Sequence, residues 1–254
     1  MVLTLDIGNT NIALGGFSGN ESVFVARIST DSSKTSDEYA VSILATLALY
    51  GVDKDSVEGA VISSVVPPLN NVVRDALRAV CGVEPLLVGP GIKTGINLHC
   101  DDPASVGADL ICACVAVRQL YGAPALIIDM GTATKMTAMN KNGAFEGVSI
   151  IPGVHMGANA LSEGTAQLPQ VSVEAPRAVI GKNTVDSMRS GIVFGNASLL
   201  DGMIDRINDS LGEKLPIYAT GGAARLVIPH CLHEVTLDDD LVLKGLNIIY
   251  NKNK

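Results

Sequence analysis

One short pattern occurs twice in this sequence, once at its start and once near its middle. In each copy an apolar, β-rich run ends in Asp-x-Gly and is followed by small polar residues, in residues 2–10 and again in residues 126–134. A further strand-like segment follows each copy. Self-similarity of this kind is the signature of repeated structural units. The sequence therefore predicts two related domains, residues 1–117 and residues 118–254.

Strand-like and helix-like segments alternate between and after the two copies. Residues 35–38 have the spacing of a capping box, and apolar residues at helical intervals follow them as far as Gly51. Helices are also predicted over residues 103–121 and 184–211, whereas residues 143–164, rich in glycine and small side chains, indicate a strand that turns into a loop. This alternation favours the α/β class, with mixed sheets flanked by helices.

The composition limits the class of function. The net charge is -8 at pH 7, which gives no field that attracts nucleic acid or an acidic membrane surface. Hydrophobic residues make up 47% of the chain, yet no run is long and apolar enough to cross a bilayer, and the first residues lack the features of a signal peptide. The five cysteines have neither disulfide-framework spacing nor metal-site spacing. We expect a cytoplasmic protein that handles a small ligand, with neither nucleic acid nor a membrane as partner.

The two Asp-x-Gly turns suit the binding of phosphate. Gly8 and Gly131 lack a Cβ atom, so backbone N–H groups beside them can approach phosphate oxygens, and neighbouring Thr and Asn side chains add donors. Asp6 and Asp129 would then face a cation. One such turn alone is equally typical of an ordinary tight turn. Two copies, together with a strand-turn-helix signal at residues 220–222, favour a metal–nucleotide cleft, and the sequence has no Gly-x-x-x-x-Gly-Lys-Ser/Thr loop of a P-loop kinase.

Nine motifs along the chain resemble those of the type III pantothenate kinase family, within the acetate and sugar kinase, heat-shock-70 and actin superfamily. They are found in order at residues 6–10, 62–67, 90–95, 107–109, 129–134, 152–153, 165–169, 181–184 and 220–222. The resemblance implies two actin-like, ribonuclease H-like domains with mixed sheets flanked by helices and an ATP cleft between them. It implies ATP-dependent phosphorylation of pantothenate to 4′-phosphopantothenate, the first step of coenzyme A biosynthesis. It also implies a homodimer that uses ATP, magnesium and a monovalent cation, either potassium or ammonium.

The resemblance assigns the residues of the site as well. The nucleotide and its phosphates would be bound by Asp6, Ile7, Gly8, Asn9, Thr10, Asn11, Ile12, Ala13, Gly131, Thr132, Thr134, Thr220, Gly221 and Gly222. Pantothenate would be bound by Cys100, Gly107, Ala108, Asp109, Leu110 and Thr184. Asp6 would lie near magnesium, and Asp129 would bind the monovalent cation. Asp109 would be the catalytic proton acceptor, since a carboxylate beside the hydroxyl can take its proton during attack on the γ-phosphorus.

Two of these residues also have simpler explanations in local structure. Asp109 falls in an early helical turn, where an acidic side chain complements the helix dipole whether or not it is catalytic. Thr184 stands where a helix N-cap is expected, and capping would not exclude contact with a ligand. Neither residue type alone is specific for catalysis.

Three positions depart from the family pattern. Leu110 stands where the family usually has an arginine, and Cys100 where it typically has a tyrosine that contacts the substrate. Lys135 replaces a usual threonine just after the second phosphate turn and adds a positive charge there. Three hypotheses therefore stand: a pantothenate kinase with a repacked pocket, a catalytically reduced regulator that binds nucleotide or pantothenate, and a kinase of a different small hydroxyl acid. The retained aspartates favour an enzyme.

Overall fold

A computed structural model describes residues 1–254, and the chain divides into two compact units. Unit 1 comprises Met1–Tyr121 and Asp240–Lys254, and unit 2 comprises Gly122–Asp239. The first boundary lies close to the one expected from the sequence. The C-terminal end differs from the expectation. The sequence pattern assigned all of residues 118–254 to the second domain, whereas Asp240–Lys254 belong to unit 1. The last helix joins unit 1 since its apolar side chains are buried there against the first sheet.

Ten strands and seven α-helices make up the two units. The strands are β1 (Val2–Ile7), β2 (Asn11–Ser18), β3 (Glu21–Ser29), β4 (Gly59–Ser64), β5 (Leu86–Leu87), β6 (Ala125–Met130), β7 (Ala133–Met139), β8 (Phe145–Pro152), β9 (Ile217–Thr220) and β10 (Thr236–Leu237). The helices are α1 (Ser36–Leu49), α2 (Leu69–Cys81), α3 (Ala108–Leu120), α4 (Val154–Glu163), α5 (Thr184–Leu211), α6 (Ala224–Val227) and α7 (Leu241–Asn253). No helix is both long and apolar enough to span a membrane.

The two units carry sheets of the same topology. The strand order is β3-β2-β1-β4-β5 in unit 1 and β8-β7-β6-β9-β10 in unit 2. In each sheet three antiparallel strands are followed by two strands that run parallel to the first of them. This duplication confirms the predicted fold class, two related mixed sheets flanked by helices.

One face of each sheet packs under helices to form the main core, and the opposite face, which α7 covers in unit 1, carries the aspartates of the Asp-x-Gly turns. In unit 1 the core joins β1, β2 and β4 to α1 and α2, and in unit 2 it joins β6, β7 and β9 to α4, α5 and α6. Leu5 and Ile7 belong to the first core, and Ile128 belongs to the second. Because successive side chains of a strand point to opposite faces, Asp6 and Asp129 lie on the faces turned away from these cores.

Local structure follows the sequence closely at some elements and departs from it at others. The predicted capping box is present at the start of α1, where Thr35 and Glu38 cap each other, and α5 spans the predicted residues. The helix expected from residue 103 begins only at Ala108, because Pro103–Ser105 form a separate 3₁₀ turn. Helix α4 lies where a loop was expected; its small residues suggested a loop, but Val154 is buried in the core of unit 2.

Candidate functional site

The first Asp-x-Gly turn joins β1 to β2 and is fixed by its own backbone. The N–H of Gly8 donates to the carbonyl of Asn11 at 3.1 Å, which closes the turn. Thr30 holds it from the side, since its hydroxyl donates to the Gly8 carbonyl at 2.7 Å and its N–H donates to the Thr10 carbonyl at 3.0 Å. Asn9, Thr10 and Asn11 are exposed at the tip. The turn therefore presents a preformed surface of amide and hydroxyl groups, which is the chemistry that a phosphate binds.

The remaining predicted members of this first turn lie in the strands that flank it. Ile7 and Ile12 are fully buried in the core of unit 1, so only their backbone groups face the turn. Ala13 is the residue directly opposite Asp6 in the β1–β2 pair. The carboxylate of Asp6 therefore has a methyl group, with no charge, as its cross-strand neighbour.

Asp109 lies in the first turn of α3. In this place it can complement the helix dipole and can also serve as the predicted proton acceptor. Its side chain is only 7% exposed, and one carboxylate oxygen accepts from the N–H of Leu110 at 2.9 Å. Gly107 is the N-cap residue and provides no side-chain cap. A Cβ atom on Gly107 would overlap Oδ1 of Asp109, so the glycine leaves the space that this carboxylate occupies.

The negative charges of Asp6 and Asp109 both act on one side chain, the thiol of Cys112. The pKa of Cys112 is raised well above its usual range, first by complete burial and then by the negative charges of Asp6 and Asp109. Both carboxylates must lie near the thiol to act on it in this way. The sequence placed Cys112 only in an apolar helical pattern, and no spacing rule links it to Asp6. Two of the carboxylates predicted for the site, one from β1 and one from α3, thus act on the same buried thiol.

In unit 2, two glycines pack against the carboxyl end of β6 and the turn that follows it. A Cβ atom on Gly153 would overlap the backbone of the Gly131–Thr132 turn. Gly221 has φ of +96°, and a Cβ atom there would lie 2.6 Å from the Met130 carbonyl carbon. These two contacts bring the end of β8 and the end of β9 against the second Asp-x-Gly turn. Gly153 appeared in the sequence only as part of a family motif, and its role in packing the turn was not predicted.

The polar residues predicted around this second turn differ in exposure. Thr132 and Gly222 are exposed. Thr220 is buried, and its hydroxyl donates to the backbone carbonyl of Asp239 at 3.3 Å. Thr134 is also buried, and its hydroxyl has no hydrogen-bond partner within the protein. Thr132 and Gly222 therefore lie at the surface, whereas the Thr220 hydroxyl joins the end of β9 to the segment between β10 and α7.

Asp129, the aspartate of the second turn, is paired with a cation. The Nζ atom of Lys135 lies 2.8 Å from Oδ2 of Asp129, and both side chains are less than one fifth exposed. The two residues are directly opposite each other in the β6–β7 pair. The sequence noted the positive charge of Lys135 near this turn but not that it would meet the predicted cation ligand.

The residues predicted to bind pantothenate lie in both units. Leu110 is buried in the first turns of α3, and Cys100 is half-buried in the loop before that helix. Thr184 is the first residue of α5, but it is not the cap: Asn183 is, and its side chain accepts from the N–H of Asp186 at 2.9 Å. The alternative explanation of Thr184 as an N-cap is therefore wrong.

Thr184 lines a pocket in unit 2. The pocket has a volume of about 630 Å³ and is lined by Leu161, Leu168, Gly181, Lys182, Asn183, Thr184, Ser187, Met188 and Gly191. Lys182 provides a positive charge, and Thr184 and Ser187 provide hydroxyls. A small molecule with a carboxylate and hydroxyl groups matches this lining.

Comparison with known proteins places the chain in a family. The sequence profile described as Type III pantothenate kinase matches residues 2–206. A type III pantothenate kinase of Moorella thermoacetica is 42% identical over 256 residues, which covers 100% of each chain. The chain belongs to the type III pantothenate kinase family. It is therefore a kinase, and as a member of this family it uses ATP.

Solved structures related to this pantothenate kinase family member show the same fold at low sequence identity. A Campylobacter jejuni protein assigned to the Baf family of transcriptional activators has a TM-score of 0.62 and 19% identity, with 99% of this chain and 98% of that one covered. The activator of the 2-hydroxyisocaproyl-CoA dehydratase from Clostridium difficile, solved with bound ADPNP, has a TM-score of 0.59 and 13% identity, with 99% and 95% covered. These neighbours confirm the actin-like fold.

Proposed function

We propose that this protein transfers the γ-phosphoryl group of ATP to the primary hydroxyl of pantothenate and so forms 4′-phosphopantothenate, the first step of coenzyme A biosynthesis. The observation that carries this proposal is the 42% identity over the full length of a type III pantothenate kinase. Asp6, Asp109 and Asp129 stand at the positions where the family resemblance expects acidic site residues, and the charges of the first two both act on the thiol of Cys112, which supports the proposal.

Asp109 is proposed to be the proton acceptor. As the hydroxyl oxygen of pantothenate forms a bond to the γ-phosphorus, the bond from that phosphorus to the leaving ADP breaks, and the hydroxyl proton passes to the carboxylate. Burial of Asp109 and its hydrogen bond from the Leu110 N–H hold the carboxylate in one orientation. Because the base is already oriented, less entropy is lost in reaching the geometry for proton transfer.

Magnesium fits the donor set of unit 1. Asp6 lies one residue before the end of β1, beside the first Asp-x-Gly turn, and its cross-strand neighbour Ala13 carries no charge. Asp109 is a second carboxylate whose charge acts on the same thiol, that of Cys112. Mg²⁺ in kinases is usually held by one or two carboxylates together with the phosphates of the nucleotide. No group of three or more His, Cys, Asp or Glu side chains is placed to hold a metal by itself. Asp6 would hold the ion, which when bound neutralises charge on the phosphates.

The backbone and hydroxyl groups of the two turns are proposed to bind the nucleotide. In unit 1 the exposed residues Asn9, Thr10 and Asn11 would donate to phosphate oxygens. In unit 2 the exposed Thr132 would contact the phosphates, and the Gly221–Gly222 loop would lie near the adenosine. Gly153 and Gly221 let the ends of β8 and β9 pack on the second turn, because a Cβ atom at either position would overlap its backbone or that of Met130.

Thr184 is proposed to donate its hydroxyl to pantothenate. It lies in the unit 2 pocket, close along the chain to Lys182, whose charge suits the carboxylate of pantothenate. Leu110 is buried and apolar where an arginine would offer five donors, so this chain makes fewer polar contacts to its acceptor than the family pattern predicts. We therefore propose that the KM for pantothenate is higher in this protein than in family members that have the arginine.

We further propose that the enzyme acts as a homodimer in the cytoplasm, as the family resemblance implies. The five cysteines are all free thiols, which agrees with a reducing compartment. Sedimentation velocity of the purified protein measures the oligomeric state directly, and a monomer at assay concentration would contradict this part of the proposal.

The test of the activity is product formation. Purified protein is incubated with ATP, Mg²⁺ and pantothenate, and phosphopantothenate is measured by mass spectrometry together with ADP. We expect both products in equal amounts. ATP binding without any phosphorylated product would favour the regulator. Product on another hydroxyl acid, with none on pantothenate, would favour a kinase of a different acceptor.

A further inference from the structure

The ion pair between Asp129 and Lys135 is imposed by the register of one hairpin. The two residues are opposite each other in the antiparallel pair of β6 and β7, so their side chains leave the sheet on the same face. Lys135 Nζ and Asp129 Oδ2 are 2.8 Å apart, the distance of a charge-assisted hydrogen bond. Both side chains are mostly buried, at 19% and 17% exposed, so solvent screens the pair less than it would at the surface.

The first hairpin provides an internal comparison. Its aspartate, Asp6, occupies the same position in β1 as Asp129 does in β6, one residue before the strand ends. The residue opposite Asp6, however, is Ala13. The two copies of the Asp-x-Gly pattern therefore have the same backbone arrangement and different cross-strand partners. One aspartate has a methyl group opposite it, and the other has an ammonium group.

A monovalent cation does not fit Asp129 in this chain. One carboxylate oxygen of Asp129, Oδ2, already has the Lys135 ammonium at hydrogen-bonding distance. A second positive charge at the same oxygen would lie within a few ångströms of Nζ and would be repelled by it. Lys135 also carries the same unit charge as the ion it would exclude.

We propose that the side-chain ammonium group of Lys135 takes the place of the monovalent cation in this protein. This positive charge belongs to the chain itself and lies beside the second Asp-x-Gly turn. An ammonium group has three N–H donors, so it can bind the carboxylate and a further acceptor together, as a coordinated ion does. Gly153 and Gly221 pack on the same turn and fix its position. Because the charge is part of the chain, its occupancy is independent of the salt in solution, unlike that of a bound ion.

The proposal rests on the proposed function only for turnover, and nucleotide affinity tests it separately. The dissociation constant of a non-hydrolysable ATP analogue with Mg²⁺ is measured by calorimetry in potassium chloride, ammonium chloride and tetramethylammonium chloride at equal ionic strength. We expect the wild type to bind equally in all three salts. We expect Lys135→Thr to bind about tenfold more weakly in tetramethylammonium chloride and to recover in potassium or ammonium chloride.

Lys135→Ala is the second variant, because alanine is the residue that the first hairpin has at this position. It is expected to behave like Lys135→Thr, and its thermal midpoint is expected to rise in potassium chloride as the ion reaches Asp129. Lys54→Thr is the matched control: it removes a lysine that pairs with Asp55 at 2.7 Å on the surface of unit 1. It should bind the analogue like the wild type in every salt.

Three results would overturn the proposal. A wild type that needs potassium as much as the variants would show that Lys135 does not act as the cation. Variants that are indifferent to the salt would show that no cation is needed there. Variants that no salt restores would show that Lys135 has another role. If the analogue binds normally but no phosphopantothenate forms, the proposed function is contradicted. The role of Lys135 can still be determined in that case, because the binding measurements test it separately.

Discussion

At the carboxyl end of β9 two adjacent glycines have different steric requirements. Gly221 has φ of +96° and lies against the backbone of Met130, whereas a Cβ atom on Gly222 would meet nothing within 4 Å. The second Asp-x-Gly turn therefore depends on Gly221 for its packing, whereas the Cβ position of Gly222 has free space around it. The chain sequence Thr-Gly-Gly shows no such difference, because it arises from contact with a distant strand.

We predict that Gly221→Ala lowers the free energy of unfolding by about 2 kcal/mol or more, because a side chain is strained at this φ and overlaps β6. Urea unfolding followed by circular dichroism measures the change. Gly222→Ala is the matched control and should change the free energy of unfolding by less than about 0.5 kcal/mol. Equal effects of the two substitutions would contradict the steric argument.

Asp109 is the second residue whose role can be separated by substitution. We predict that Asp109→Asn lowers kcat by about 10²–10⁴-fold, because an amide cannot accept the hydroxyl proton. The fold should be unchanged, since the amide oxygen can still accept from the Leu110 N–H. The measurement is kcat together with the thermal midpoint.

The control for Asp109→Asn is Asp37→Asn, which removes the charge of another first-turn aspartate, in α1. It should leave kcat unchanged. If kcat is the same in the wild type and in Asp109→Asn, the aspartate serves only the helix dipole.

Helices α3 and α7 pack closely against each other through Gly245. A Cβ atom on this helical glycine would overlap the backbone of Cys112, so α7 lies directly on the helix that carries Asp109. Gly195, in α5, is also helical, and nothing lies within 4 Å of the Cβ position. A helical pattern predicts both helices but not which glycine is a contact point.

We predict opposite effects of alanine at these two glycines. Gly195→Ala should raise the free energy of unfolding by about 0.5–1 kcal/mol, since alanine is the better helix former. Gly245→Ala should lower it by about 2 kcal/mol, because the clash with backbone outweighs helix propensity. Denaturant unfolding measures both. A stabilising Gly245→Ala would show that α7 can move away from α3 at no cost.

Considering the whole molecule, the duplicated sheets were readable from the sequence, but the membership of the last helix was not. Residues 240–254 follow β10 directly and belong to unit 1. Leu241, Leu246 and Ile249 of α7 are fully buried. The helix also carries Asn247, whose amide donates to the Gly19 carbonyl at 2.8 Å. Unit 1 therefore needs a segment that the chain supplies last.

We predict that deletion of residues 241–254 exposes the face of the first sheet that α7 covers. In hydrogen exchange, β1 and β4 should lose more protection than β6 and β9, because α7 contacts the first pair. Deletion of residues 253–254 removes only the end of α7 and should cause a smaller loss of protection. Equal loss in both sheets would contradict the assignment of α7 to unit 1.

The sequence by itself determined the features that depend on neighbouring residues. The Asp-x-Gly turns, the capping box at Thr35 and the long helix α5 follow from local backbone preferences and side-chain spacing, and the repeated pattern indicated the duplicated α/β fold. The family of the chain was also readable, since its motifs are short and in order.

Only the tertiary structure decided which distant groups meet. Lys135 faces Asp129 because of strand register, and a shift of one residue would turn that side chain to the other face of the sheet. Gly153 and Gly221 pack on the turn after β6, and the charges of Asp6 and Asp109 both raise the pKa of Cys112. These contacts join residues far apart in the chain. They depend on how strands pair and helices pack, which no local pattern specifies.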